Sequence, residues 1–140
     1  MALYGSTEWL NKFKEAINNS EEFRKASSKL NTSNLIVTEI DGLPKPAYVW
    51  MDIQGGIMKE WAYLVNGNER KSDFTFTGDY YSWKAICRGE LDVLKAVVTG
   101  KVKLKGNKLK LLKQQKSSMA LLGVMKSLKT EFPDDIFAGK

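Results

Sequence analysis

The chain has 140 residues, 43% apolar and 27% charged, enough for one domain that buries roughly 68–70% of its unfolded surface without disulfide or metal support. The single Cys87 excludes an internal disulfide and CxxC motifs, and the lack of any histidine removes the base of Ser-His-Asp and Cys-His chemistry and the usual ligands of zinc and haem. The net charge of +6 is local: residues 1–92 carry −2, residues 93–130 hold ten lysines and no acid, and residues 131–140 carry −2.

In chain order, Ser6 or Thr7 caps a first helix whose Trp9, Phe13 and Ile17 share one face. Ser20 starts a second, short helix carrying Phe23 and Leu30. Three strand-like segments follow, Leu35 to Ile40, Ala47 to Ile53 and Ile57 to Val65, parted by Asp41-Gly42-Leu43-Pro44-Lys45-Pro46 and by Gly55-Gly56. They read as an antiparallel meander. A fourth strand, Asp73 to Thr77, puts Phe74 and Phe76 on one face.

After Gly78 the period returns to helix in Tyr80 to Arg88 and Leu91 to Thr99, each closed by a glycine, Gly89 and Gly100, suited to a left-handed cap. Lys101 to Gly106 alternates strictly, sending Val102 and Leu104 inward and three lysines outward, as a fifth strand does. Residues from about Lys108 to Lys129 read as one helix closed by Pro133. Leu111, Leu112, Met119, Leu122, Met125 and Leu128 lie near one side of it. The expectation is a single α+β domain over residues 1–140 with a five-stranded, mostly antiparallel sheet covered by helices.

Searching for chemistry returns little. There is no GxG, no GxxxxGK[ST] and no Ser followed three residues later by Lys, so dinucleotide, kinase and P-loop signatures are missing. Cys87 sits beside Ile86 with no base nearby in sequence and reads as a buried structural thiol. Glu39 and Asp41 fall on one strand face and make no acid pair. The N-terminus has no basic, apolar and small-residue succession of a signal peptide, and no stretch is long enough to span a bilayer. The expected setting is soluble and cytoplasmic.

The segment from Asp73 to Asn107 is the most informative. Asp73-Phe74-Thr75-Phe76-Thr77, then Tyr81-Ser82-Trp83-Lys84-Ala85-Ile86, Gly89-Glu90-Leu91-Asp92, Ala96 and Gly100-Lys101-Val102-Lys103-Leu104-Lys105-Gly106-Asn107 together resemble the sterol carrier protein, or SCP-2-like, lipid-transfer domain. The motif covers about a quarter of the chain, and the order of the flanking elements is compatible with that family over nearly all of it. The resemblance implies an apolar tunnel between sheet and helices that holds fatty acyl chains, acyl-CoA or sterols; with no base, nucleophile and oxyanion donors together in the sequence, neither catalysis nor a cofactor is expected. The lysine-rich C-terminal helix and the missing peroxisomal address depart from the eukaryotic carriers.

Four Trp, six Phe, five Tyr and five Met supply side chains that can line such a hollow as well as fill a core. The candidate ligand-lining residues are Trp61, Phe74, Phe76, Trp83, Ile86, Leu94, Val97 and Val98, with Leu112, Met119, Leu122 and Met125 of the last helix as a movable cover. Lys101, Lys103 and Lys105 are candidates for headgroup contact or transient contact with an anionic membrane surface. Two alternatives to a carrier of fatty acid or acyl-CoA remain: an accessory or protein-interaction module of a lipid-handling enzyme, and nucleic-acid binding through Lys101 to Lys116. No nucleic acid is expected, because that stripe holds neither Arg nor an aromatic residue for base readout or stacking. The oligomeric state is open, with a dimer allowed.

Overall fold

Helix α1 (Thr7–Asn19) begins where Ser6 accepts a hydrogen bond from the Trp9 N–H at 3.1 Å, pairing one of the donors that a helix start leaves unmet. Trp9, Leu10, Phe13 and Ile17 are its buried stripe. Ser20 ends this helix and caps the next, α2 (Glu21–Ala26), by accepting from the Phe23 N–H. Leu30, expected on that helix, lies beyond its end. The computed structural model describes residues 2–134.

The remaining elements are β1 (Asn31–Glu39), β2 (Ala47–Gln54), β3 (Ile57–Leu64), β4 (Phe74–Asp79), α3 (Tyr80–Cys87), α4 (Val93–Val98), β5 (Val102–Lys105), α5 (Lys108–Leu112) and α6 (Gln115–Leu128). The strands form one sheet in the order β3-β2-β1-β4-β5. β1 pairs parallel with β4 and every other pair is antiparallel, so the fold is α+β with a mixed, mostly antiparallel sheet. Glu39 ends β1 and Asp41 lies in the turn beyond it, both exposed, so the two do not share a strand face as expected.

The parallel pairing of β1 with β4 requires residues 65–73 to cross from the β3 edge to the far side of β1. On the way they cover the outer face of the sheet. The Trp50 indole N–H donates to the Lys71 carbonyl at 3.1 Å, and the Arg70 guanidinium lies 4.5 Å above the Trp50 ring while pairing with Glu60 at 3.1 Å. Beneath this strap Leu35, Val37 and Leu64 form a small outer core. The inner face carries the alternate residues, with Ile36 set between Val49 of β2 and Phe76 of β4, and it is roofed by α1, α3 and α6. Gly78 of β4 makes room for that roof: a Cβ there would lie 3.1 Å from the Trp83 indole nitrogen, which donates to the Val37 carbonyl at 3.0 Å.

The C-terminal helix differs from its expected form. It breaks at Lys113–Gln114, where Gln114 leaves helical geometry (φ −96°, ψ 31°). The break lets Leu111 pack with Phe74, Trp83 and Leu94 while Ala120, Val124 and Met125 join α1 in the other cluster. One straight helix could not reach both. The buried face is also rotated from the apolar stripe: Ser117 and Ser118 are inside and Met119 is 54% exposed. Serines go in because they are paired. Ser27 Oγ donates to Ser117 Oγ at 2.7 Å, Ser117 Oγ donates to the Ala26 carbonyl at 3.2 Å, and Ser118 Oγ donates to the Asp92 carboxylate. The helix ends at Lys129 in the left-handed region (φ 48°), four residues ahead of Pro133.

Residues 131–134 then return to the N-terminus. Tyr4 donates its N–H to the Glu131 carbonyl at 2.8 Å, and Phe132 is fully buried. Asp134 accepts from the Lys84 ammonium at 2.8 Å and from the Tyr80 hydroxyl at 2.5 Å. These donors hold the Asp134 carboxyl below its usual value of 3.8. A folded-state pKa below the unfolded one means stability that is present above pH 3.8 and lost as pH falls through the lower folded value. Asp134→Asn is therefore expected to lie below the parent in stability by a constant margin from pH 5 to 8. Urea midpoints should show that margin closing in the acid range below pH 3.8, and a margin unchanged down to pH 2 would remove the pair from the acid response.

Candidate functional site

Between the inner face and the helices lies a cavity of about 540 Å³. Its floor follows the central strand: Thr32, Asn34, Ile36, Thr38 and Ile40 all border it. Eight residue steps at ~3.3 Å each make this floor roughly 26 Å long. Val49, Met51 and Ile53 of β2 and Phe74 and Phe76 of β4 flank it. Leu10, Phe13 and Ile17 of α1, Trp83, Ile86 and Cys87 of α3, and Leu121 and Met125 of α6 roof it. Ile36, under the helices in the middle of the central strand, is only half-buried, because part of its surface faces the hollow.

Among the described residues, no Asp, Glu, Lys or Arg lies on this wall. Its polar groups are neutral. The Tyr4 hydroxyl meets Thr38 Oγ1 at 3.2 Å, and burial pushes its pKa up, so it remains a phenol. The Asn34 amide donates to the Thr32 carbonyl and hydroxyl, each at 3.3 Å, and its own oxygen accepts nothing from the described residues. Burial likewise raises the pKa of Cys87, keeping it a thiol, which is the inert state. One end of the cavity is bounded by Ile40, Pro46, Ala47 and Tyr63, with Tyr63 half exposed and its hydroxyl donating to the Gly5 carbonyl at 2.6 Å. The other reaches the break between α5 and α6, where Leu111, Gln114 and Ser117 line it.

Of the residues singled out from sequence, Phe74, Phe76, Trp83, Ile86, Leu94 and Met125 border the cavity. Trp61 does not; it lies against α1, its indole N–H donating to Asn11 at 3.0 Å. Val97 packs on the second cluster away from the hollow. Val98, Leu112 and Met119 are 64%, 41% and 54% exposed, and Leu122 is half-buried off the wall. None of these five side chains borders the cavity in this structure. Lys101, Lys103 and Lys105 are exposed around β5, none on the wall. The sequence reading missed Tyr4, Thr32, Asn34 and Thr38. The alternation Thr32-Asn34-Ile36-Thr38 marks one strand face, but the first strand is expected to begin only at Leu35, whereas β1 begins at Asn31.

A hollow between a mixed sheet and a layer of helices, with no charged wall residue among those described, is the layout of a lipid-binding and lipid-transfer domain. The chain matches the model of the SCP-2 sterol transfer family over residues 10–117 and belongs to that family, in general a non-enzymatic lipid-carrier fold. It is similar to a conserved hypothetical protein from Thermus thermophilus, described as possibly a sterol carrier protein, at 25% identity and TM-score 0.79 with 90% of each chain covered. A crystal structure of sterol carrier protein 2 gives 26% identity and TM-score 0.76 over 86% of this chain and 95% of that one. Sterol carrier protein 2 from Yarrowia lipolytica, 15% identical with TM-score 0.55 over 86% of this chain and 89% of that one, shares the fold. No curated protein matches the chain. Among the described residues, no helix is long and apolar enough to cross a membrane.

Proposed function

We propose that residues 1–140 act as one cytoplasmic carrier that holds a single hydrophobic ligand, a fatty acid or acyl-CoA ahead of a sterol, and moves it without chemical change. The observation that carries this reading is the 540 Å³ hollow with no charged wall residue among those described. A cavity of about 150 Å³ accepts one benzene, so this one holds roughly twenty carbons. That is one acyl chain or one fused-ring skeleton, and it is too small for both chains of a phospholipid. About fourteen buried methylenes at ~0.8 kcal/mol each contribute about 11 kcal/mol. Association and ordering cost about 4 kcal/mol or more, which leaves at most about 7 kcal/mol, a Kd on the order of 10 μM.

The wall also fixes the orientation. A carboxylate inside would lose its hydration and meet no cation, at a cost of several kcal/mol. An ionised ligand therefore binds tail first and leaves its headgroup at a mouth. At the α5–α6 break Lys113 and Lys116 stand exposed on either side of Gln114, where they supply positive potential.

Titration of a fluorescent fatty acid into the delipidated protein is expected to give one site per chain, emptied by an unlabelled acyl chain. Native mass spectrometry of protein taken directly from cells should show the same stoichiometry for its natural cargo. A protein that takes up no acyl probe and leaves the cell with nothing bound is not a carrier.

A further inference from the structure

We propose that the surface made by the end of α4, by α5 and by the first turns of α6 docks on an anionic lipid bilayer. We further propose that the break between α5 and α6 is where cargo passes between bilayer and cavity; this second part rests on the carrier reading above.

Four large apolar side chains are bare there: Val98 is 64% exposed, Leu109 73%, Leu112 41% and Met119 54%. Leu109 and Leu112 stand three residues apart on the outer side of α5, while Leu111 between them points into the core. The three elements are neighbours. Leu111 and Leu94 share one cluster, and Ser118 of α6 bonds Asp92, the N-cap of α4.

The charge around these side chains is of one sign. Lys95, Lys101, Lys108, Lys110, Lys113 and Lys116 are all exposed, and none takes part in a salt bridge among the described residues. The two acids that precede α4 are engaged: Asp92 caps α4 and accepts from Ser118, and Glu90 lies 4.0 Å from Arg88. Bare leucines among lysines match a bilayer that offers anionic headgroups over hydrocarbon. A nucleic acid would reward the lysines but not the leucines.

The same segment has an inner side. Leu111, Gln114 and Ser117 border the cavity, while Leu112, Lys113 and Lys116 face out. α5 is only five residues long, too short to hold itself helical without its packing. Seating its leucines in the bilayer would loosen the one wall that separates cavity from membrane.

The test is flotation of the full chain with vesicles of phosphatidylcholine alone or mixed with phosphatidylglycerol, beside uptake of a fluorescent fatty acid from solution and from vesicles. Binding is expected only to the mixed vesicles and is lost in about 1 M salt, where the screening length is about 3 Å. Leu109→Glu with Leu112→Glu, and separately Lys108→Glu with Lys110→Glu, should each cut vesicle binding and vesicle-to-protein loading about tenfold or more. Uptake from solution should stay at the parent level, which also reports an intact fold. Leu43→Glu, on an equally exposed leucine of the β1–β2 turn, should change nothing. The proposal is overturned by equal binding to both vesicle types, by two variants that float like the parent, or by retention on duplex DNA with none on vesicles. If the parent floats as expected but takes up no fatty acid from solution, the docking surface stands and the carrier reading falls.

Discussion

Replacing Ile36 by Trp is expected to lower affinity for an acyl chain about 100-fold or more while leaving the fold intact. Ile36 lies at the middle of the cavity floor, opposite Val49 and Phe76, so a larger side chain there grows into empty space. An indole in place of a sec-butyl group takes the room of roughly four methylenes of ligand. At ~0.8 kcal/mol each that is about 3 kcal/mol, or about two decades in Kd. Filling a void also adds contacts, so the melting temperature should hold or rise, unlike the loss of about 1–3 kcal/mol that follows overpacking of a solid core. Probe titration and a thermal melt on the same sample decide the matter. Parent-like affinity in Ile36→Trp would place the chain elsewhere, and a large drop in melting temperature would mean that the site was already full.

Trp83→Ala is expected to be the most damaging single truncation on the cavity wall. The indole is 5% exposed, lies against Gly78 and Val102, and donates to the Val37 carbonyl on the central strand at 3.0 Å. Removing a buried Trp costs about 3–5 kcal/mol, here with a buried carbonyl left unmet for about 1 kcal/mol more. For a domain of this size the melting temperature should fall by about 10–20 °C. Trp83→Phe separates the two contributions, since it keeps most of the ring and loses the donor. It should cost roughly 1–2 kcal/mol. Equal losses in the two variants would show that the hydrogen bond, and not the packing of the ring, anchors α3 to the sheet.

What the chain states locally it states well. The Trp9, Phe13 and Ile17 spacing, the Phe74 and Phe76 alternation, the inward Val102, the glycines that close α3 and α4, and the Asp73 to Asn107 pattern all concern neighbours within one or two turns, and each reappears in the structure. That was enough to read the α+β class and the family. Period and capping are properties of a short segment, and nothing distant is needed to express them.

Tertiary structure alone decided the rest. β4 pairs with β1 and not with β3 because residues 65–73 strap the outer face, a choice made by contacts between Trp50, Arg70 and Glu60 that no local pattern encodes. α5 parts from α6 because two clusters compete for one apolar stripe. Ser117 and Ser118 go inside while Leu112 and Met119 stay out, since a hydroxyl with a partner 90 residues away is no longer costly to bury. The cavity itself follows from these long-range choices. An empty volume has no residues of its own, so composition shows the side chains able to line it, and only their packing leaves the space between them.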